Sequence, residues 1–322
     1  MSSPYSFTYG STFAGCGGSS LGYKWAGGHG VFAVEFDDNA VETYRSNFPE
    51  TPVLHRDIKT VTAEELLELT GMAVGQLDIL DGSPPCQGFS TAGKRQMHDP
   101  RNSLFMEFVR LIEGLQPKVF VMENVSGMVK GKMKLVFREV MLALKATGYR
   151  VRCKLLNAKW FNVPQSRERL IWIGVRKDIE KSPEFPDAQS KPMTVREALA
   201  ECPVGATPPF NDKYAKLWDM VPPGHRADYV LGNSGFGSCN KLHPDRPSKS
   251  LPKQQTGRGF ATVCHWAEPR AISIPEAKRL GSFPDDFTLV GDYSTQWERI
   301  GNSVPPRFMQ AIAEHIRDHI LT

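Results

Sequence analysis

The chain has 322 residues, enough for one large domain and a smaller companion. Hydrophobic residues make up 40% and charged residues 23%, a globular balance, and no run approaches the roughly 18 apolar residues of a membrane span. The start of the chain lacks the basic segment and apolar core of a secretory signal, so the sequence places the protein in the cytoplasm. A net charge of +4 is compatible with a polyanionic partner without proving one. Cys16, Cys86, Cys153, Cys202, Cys239 and Cys264 stand far apart and form no CxxC pair, which argues against a zinc site or a disulfide framework.

In chain order, short apolar runs predict strands over residues 5–13, 31–36, 53–58, 77–80 and 118–122. Helical periodicity between them predicts helices over 19–26, 38–47, 62–70 and 102–115. A further helix over 132–147 stops before Gly148, a C-cap residue, and strands follow over 149–157 and 169–175. This alternation is the signature of βαβ units, and it predicts a Rossmann-like α/β fold with a parallel sheet covered by helices on both faces. Composition changes at Arg176, after which proline and glycine are frequent and periodic segments are few. The division expected is a first domain over 1–178, a loop-rich domain over 179–270, and a segment over 271–322 that packs back on the first. That last segment opens on a capping box, Ser273-Ile-Pro-Glu276, and ends in a helix over 308–320.

Three βα loops carry the marks of a ligand site. Phe13-Ala-Gly-Cys-Gly-Gly18 joins the first strand to the first helix, and its glycines let a ligand approach the backbone. Glu35 ends the second strand and suits the two hydroxyls of a ribose, while Asp57-Ile58 ends the third and suits an adenine amino group. Taken singly, each is equally well a tight turn or a solvated acid. Together they point to an adenosine-type cofactor, and the spacing departs from the GxGxxG of dinucleotide binders.

The fourth strand leads into Gly82-Ser-Pro-Pro-Cys86-Gln-Gly-Phe-Ser90, where two prolines restrict the backbone just before a thiol. The polar stretch that follows, with Ser90, Lys94 and Arg95, has the composition of a lid. Glu123 ends the fifth strand, and Gln165-Ser-Arg167-Glu-Arg169 precedes the last. A thiol, a carboxyl and two guanidiniums suit one chemical problem, because carbon 5 of cytosine is a poor nucleophile. Adding a thiolate to carbon 6 makes the ring an enamine whose carbon 5 attacks an electrophilic methyl. A protonated carboxyl near ring N3 stabilises that addition, and arginines favour the thiolate, bind the ring carbonyl or hold a phosphate.

With these residues in this order, the chain resembles the S-adenosylmethionine-dependent DNA (cytosine-5) methyltransferases of the compact microbial type, from Phe13 to Pro305. The resemblance implies that Cys86 is the nucleophile, that Glu123 is the catalytic acid, and that Arg167 and Arg169 assist them. It implies a cofactor site from Phe13, Ala14, Gly15, Gly17 and Gly18, with Glu35, Phe36, Asp57, Ile58 and Pro85. Arg101-Asn-Ser-Leu104-Phe resembles the segment closing over the cofactor, so Leu104 is included. Gly301-Asn302-Ser303-Val-Pro305 resembles the late motif that holds the cofactor beside the nucleophile loop. The chain departs from the family pattern at Ser11, where many members carry an aspartate, at Phe36, where a tryptophan is common, and at the extra Ser282.

The target cytosine of a duplex must leave the stack to reach a cysteine. The resemblance makes residues 179–270 the target-recognition domain, with double-stranded DNA as partner. Candidate DNA contacts are Gln87, Ser90, Lys94 and Arg95 near the nucleophile, and Lys241, Arg246, Lys249, Ser250, Lys253 and Arg258 further on. His225, His243 and His265 read as phosphate neighbours or structural residues, and the chemistry requires no metal. The expectation is a monomer, without membrane association, in the cytoplasm and at the nucleoid if bacterial, with or without a restriction endonuclease partner. One alternative is tRNA methylation, but the Cys-Phe-Thr tripeptide of that branch is absent from the sequence. The other, a catalytically inactive DNA-binding module, sits poorly with intact Cys86, Glu123, Arg167 and Arg169.

Overall fold

Near-continuous apolar strands can be buried on both faces only if helices cover them, and the structure, a computed structural model, builds that arrangement. It describes residues 5–85, 103–131, 133–208, 210, 212–232, 240–255 and 262–322. Along the chain come β1 (Phe7–Thr12), α1 (Gly18–Trp25), β2 (Gly28–Glu35), α2 (Asp38–Asn47), β3 (Val53–His55), α3 (Ala63–Thr70) and β4 (Ile79–Gly82). Then follow α4 (Ser103–Leu115), β5 (Val119–Val125), α5 (Met133–Ala146), β6 (Arg150–Asn157), the two-residue β7 (Gln165–Ser166) and β8 (Glu168–Val175). The main sheet has seven strands in the order β3-β2-β1-β4-β5-β8-β6.

Pairs from β3 through β5 are parallel, as expected, but β8 runs antiparallel to β5. The expectation of a wholly parallel sheet is corrected at this point. Residues 158–167 between β6 and β8 are too few for a crossover, which takes a dozen residues or more, so the chain turns back.

Local chemistry sets the helices. Asp37 accepts from the Ala40 N–H and starts α2, and Thr62 accepts from the Glu65 N–H and starts α3. Helix α4 buries Phe105, Phe108, Ile112 and Leu115, spaced three or four apart, against Phe120 and Leu80 of the sheet. Among the described residues no helix is long and apolar enough to cross a membrane.

The chain forms two units, one of Met1–Leu156, Glu168–Asp187 and Met309–Thr322, the other of Asn157–Arg167 and Ala188–Phe308. The second contains α6 (Val195–Ala198), α7 (Asp212–Met220), α8 (Asp228–Leu231), β9 (Asn240–Lys241), β10 (Ser248–Lys249) and β11 (Val263–Cys264). It also holds α9 (Ile274–Leu280) and α10 (Tyr293–Asn302), and α11 (Pro306–His319) then ends in the first unit. The short strands pair as β10 with β7 and β11 with β9, around Trp218, Val221, Ala227, Cys264 and Ala271.

This division departs from the expected one, since the return to the first unit comes at Met309 and not near residue 271. Hydrogen bonds explain the difference. Gln165 donates to the Leu280 carbonyl at 3.1 Å, and the Trp297 indole donates to the Pro252 carbonyl at 2.9 Å, tying α9 and α10 to the loop-rich segments. The capping box at the start of α9 is present, with the Ser273 N–H donating to the Glu276 carboxylate at 2.6 Å.

Gly174 in β8 offers a test of how tightly the sheet is covered, because an ideal Cβ there would lie 2.0 Å from the fully buried Phe120 ring. Gly174→Ala is expected to lower stability by about 1–3 kcal/mol in denaturant unfolding. Gly127→Ala, where nothing lies within 4 Å of the added carbon, should cost far less.

Candidate active site

The carboxyl ends of β1 and β2 and the turn after β3 gather the predicted cofactor residues in the first unit. Phe13 adopts a left-handed backbone (φ 53°), an unfavourable conformation for a side chain of that size. Gly15 (φ 55°) has nothing among the described residues within 4 Å of where a Cβ would stand, which leaves the backbone approachable there. Gly17 (φ 93°) is the N-cap of α1, and a Cβ there would strike Phe48 at 2.4 Å. Glu35 holds the loop in place: one carboxylate oxygen accepts from the Gly15 N–H at 2.8 Å, the other from the Phe36 and Asp37 N–H groups at 2.9 and 3.0 Å. Phe36 is 72% exposed, an aromatic face left to solvent at the strand end. Asp57 caps the turn over Ile58–Thr60 through the Lys59 N–H, with Ile58 buried beneath it.

The neighbouring strands carry Glu123 and Arg169, two of the residues read as catalytic. Cys86, Gln87, Ser90, Lys94 and Arg95 lie outside the described residues, and Pro85 is the last described residue before them. Ahead of them, the Asn124 amide donates to the Pro84 carbonyl at 3.0 Å in a buried contact. Glu123, next to it on β5, lies with its Oε1 2.5 Å from Arg169 Nε, an ion pair poorly aligned for a hydrogen bond. Antiparallel register makes this pair: Val125 is opposite Arg169, which puts Glu123 diagonally across on the same face. Both side chains are about nine-tenths covered, so the pair is only weakly screened by solvent.

A family model for C-5 cytosine-specific DNA methylases matches residues 7–318. The chain belongs to that family. It is a DNA (cytosine-5) methyltransferase. Among its relatives, the Type II methyltransferase M1.HphI of Haemophilus parahaemolyticus is 36% identical, over 97% of this chain and 87% of the relative. M.Sau96I of Staphylococcus aureus is 35% identical, over 95% and 74%. A prophage-encoded protein of Escherichia coli, named as a DNA modification methyltransferase, has the same fold, with a TM-score of 0.81 at 24% identity over 97% of this chain and 99% of that one.

In this methyltransferase the two arginines of the Gln165–Arg169 motif do different things. Arg167 is 3% exposed and belongs to the second unit, where it donates to Ser250 Oγ (3.2 Å), the Leu251 carbonyl (3.1 Å) and the Gly301 carbonyl (2.8 Å). Its guanidinium holds segments of the second unit together. Asn302 and Ser303 end α10 in the same unit, with the Asn302 side chain exposed. Leu104 lies in the first turn of α4, packed against the core of the first unit.

Of the expected DNA contacts, Lys241 is buried, its ammonium 3.4 Å from the Trp218 ring centroid and donating to the Trp218 carbonyl. That cation–π contact and desolvation remove it from a DNA-facing role, which corrects the expectation. Arg246, Lys249 and Ser250 are exposed; Lys253 pairs with Glu298 at 3.1 Å, and Arg258 lies outside the described residues. His265 is structural, stacked on Trp266 with centroids 4.0 Å apart. No group of three or more His, Cys, Asp or Glu among the described residues could hold a metal ion.

Sequence reasoning missed two residues, Asn124 and Asp81. The signal was available in both cases, a polar residue in an otherwise apolar strand end. Asp81 is 2% exposed, and burial pushes its carboxyl up to about 7, hydroxyl donors from Tyr23, Ser11 and Ser19 opposing the shift and the nearby Glu123 adding to it. The buried Tyr9, Tyr23 and Tyr44 around it are all pushed upward and do not titrate near neutrality.

An Asp81 carboxyl that holds its proton to about pH 7 in the folded state loses it near pH 4 when unfolded. Between those values the native state binds more protons, so this group's contribution to stability is full below about pH 4 and is lost as pH rises to about 7. Thermal unfolding of wild type minus that of Asp81→Asn should fall across this window and level off above it.

Proposed function

We propose that this methyltransferase forms a covalent bond between Cys86 and carbon 6 of a cytosine flipped out of duplex DNA, with S-adenosylmethionine as methyl donor. The observation that carries the reading is the grip of Asn124 on the Pro84 carbonyl, two residues ahead of Cys86, beside the Glu123–Arg169 pair. Other thiols are less suited: burial pushes Cys153 up to about 12 and raises Cys202, and Cys16 is 1% exposed.

The first unit's loops fit the donor. Glu35 uses three backbone N–H groups of about four acceptor positions, leaving one for a ribose hydroxyl. The exposed Phe36 offers a face for adenine, and the open side of Gly15 lets a ligand approach the backbone. When bound, S-adenosylmethionine supplies an electrophilic methyl carbon.

The chain's own groups then act on the base. The Cys86 thiolate forms a bond to carbon 6, and the ring's electron pair moves to carbon 5. Glu123 holds a proton at ring N3 as charge develops there, and Arg169 fixes the orientation of its carboxyl. Carbon 5 takes the methyl group and loses its proton to solvent, and the bond from sulfur to carbon 6 breaks, restoring the ring and the thiolate. The relatives are named as Type II methyltransferases, which supports sequence-specific DNA modification within a restriction–modification pair. The same reading has the protein act as a monomer on DNA in the cytoplasm, at the nucleoid in a bacterium, with the second unit recognising the target.

Labelled methyl transfer from S-adenosylmethionine should reach duplex DNA and not tRNA, and Cys86→Ser should lower it by at least about a thousandfold. Duplex DNA carrying 5-fluorocytosine should trap a covalent adduct with wild type, because fluorine does not leave as a proton does. Label in tRNA alone, or an adduct with Cys86→Ser, would sink the reading.

The exposed Lys249 and the buried Lys241 should also separate in binding. Lys249→Ala is expected to reduce the dependence of log affinity on log salt by about one, the value for one phosphate contact. Lys241→Ala should leave that slope unchanged while lowering stability, since its charge lies over the Trp218 ring.

A further inference from the structure

The buried carboxyl of Asp81 takes no part in the chemistry above, yet it stands where three elements of the site converge. Its Oδ2 accepts from Ser11 Oγ at 3.4 Å and its Oδ1 from Tyr23 Oη at 3.2 Å, and the Ser19 side chain adds a third hydrogen bond. Ser11 is on β1, which leads into the Phe13–Gly18 loop; Ser19 and Tyr23 are on α1, which leaves that loop. Asp81 itself is on β4, which leads within five residues to Cys86. The register sets Ser11 opposite Asp81 and Thr12 opposite Gly82, and Thr12 Oγ1 donates to the Asp81 carbonyl at 2.9 Å.

A carboxyl in such a place is costly, with no cation among its hydrogen-bond partners and Glu123 near enough to repel it. An apolar residue would fill the space without that cost. What it would not do is accept hydroxyls from both ends of the glycine loop at once. The carboxyl therefore fixes the loop's entry and exit relative to β4.

We infer that Asp81 is a positioning residue that joins the two elements flanking the Phe13–Gly18 loop to β4, the strand that leads toward Cys86. The inference rests on the reading of that loop as the S-adenosylmethionine site. Ser11 is the neighbour directly across the pair and its hydroxyl already meets the Asp81 carboxyl, so exchanging the two residues keeps a carboxyl and a hydroxyl facing each other between β1 and β4.

The test is calorimetric binding of S-adenosylhomocysteine to the full chain, alongside KM for S-adenosylmethionine and kcat on duplex DNA. Asp81→Asn is expected to weaken binding about tenfold and Tyr23→Phe about threefold, with KM rising by similar factors and kcat changing less. The exchange variant Ser11→Asp/Asp81→Ser should return the affinity to within about threefold of wild type. Tyr23→Phe removes one hydroxyl from a packed ring, so it tests the idea even if Asp81→Asn does not fold. Affinity of either single variant within twofold of wild type would overturn the proposal, as would a folded exchange variant still tenfold weak. A wild-type chain that binds no S-adenosylhomocysteine would instead overturn the cofactor reading on which the proposal rests.

Discussion

Strands β1 and β4 lie side by side and parallel, with Thr12 opposite Gly82, and the loops that matter in the first unit leave from that pair. The contact is so close that a Cβ on Gly82 would fall 2.6 Å from the Phe108 ring and 2.7 Å from Thr12 Oγ1. Parallel strands deliver their following loops to one edge of the sheet. The glycine loop, the Pro84-Pro85 segment and Glu123 all reach that edge because β1, β4 and β5 run the same way. The exception is β8, which runs the other way and so brings Arg169 to the edge at its beginning and not at its end.

Two carboxyls near this edge show how environment divides labour between identical groups. Glu123 faces the Arg169 guanidinium across the β5–β8 pair, a partner that holds the carboxyl in one orientation. Asp81 has hydroxyls for its side-chain hydrogen-bond partners among the described residues, and burial pushes it upward. One carboxyl meets a guanidinium and the other meets hydroxyls of the surrounding frame. Pairs of acids with divergent surroundings are a recurring way for one site to separate roles.

Much of this was legible in the chain. The α2 boundaries follow from Asp37 as a cap, and the glycine loop, Glu35, Phe36 and Asp57 all fall at strand ends or the turns that follow, because apolar runs and capping residues are local signals. The direction of β8 was not, since an apolar run reads the same both ways and only the short connection behind it decides. Arg167 and Arg169 look equivalent two residues apart, yet one meets carbonyls from residues 251 and 301 and the other a carboxylate on β5. Lys241 looked like a phosphate contact until Trp218 took its charge. In each case the deciding partner is distant in sequence, where periodicity and motif spacing carry no information.

The chain passes between the two units at residues 156–157, 167–168, 187–188 and 308–309. The second unit is therefore no cassette. A graft cut at 188 and 308 would leave behind Asn157–Arg167, including the guanidinium that holds the Leu251 and Gly301 carbonyls and the strand that pairs with β10. A transplant of the second unit therefore keeps its internal contacts only when both segments, Asn157–Arg167 and Ala188–Phe308, travel together.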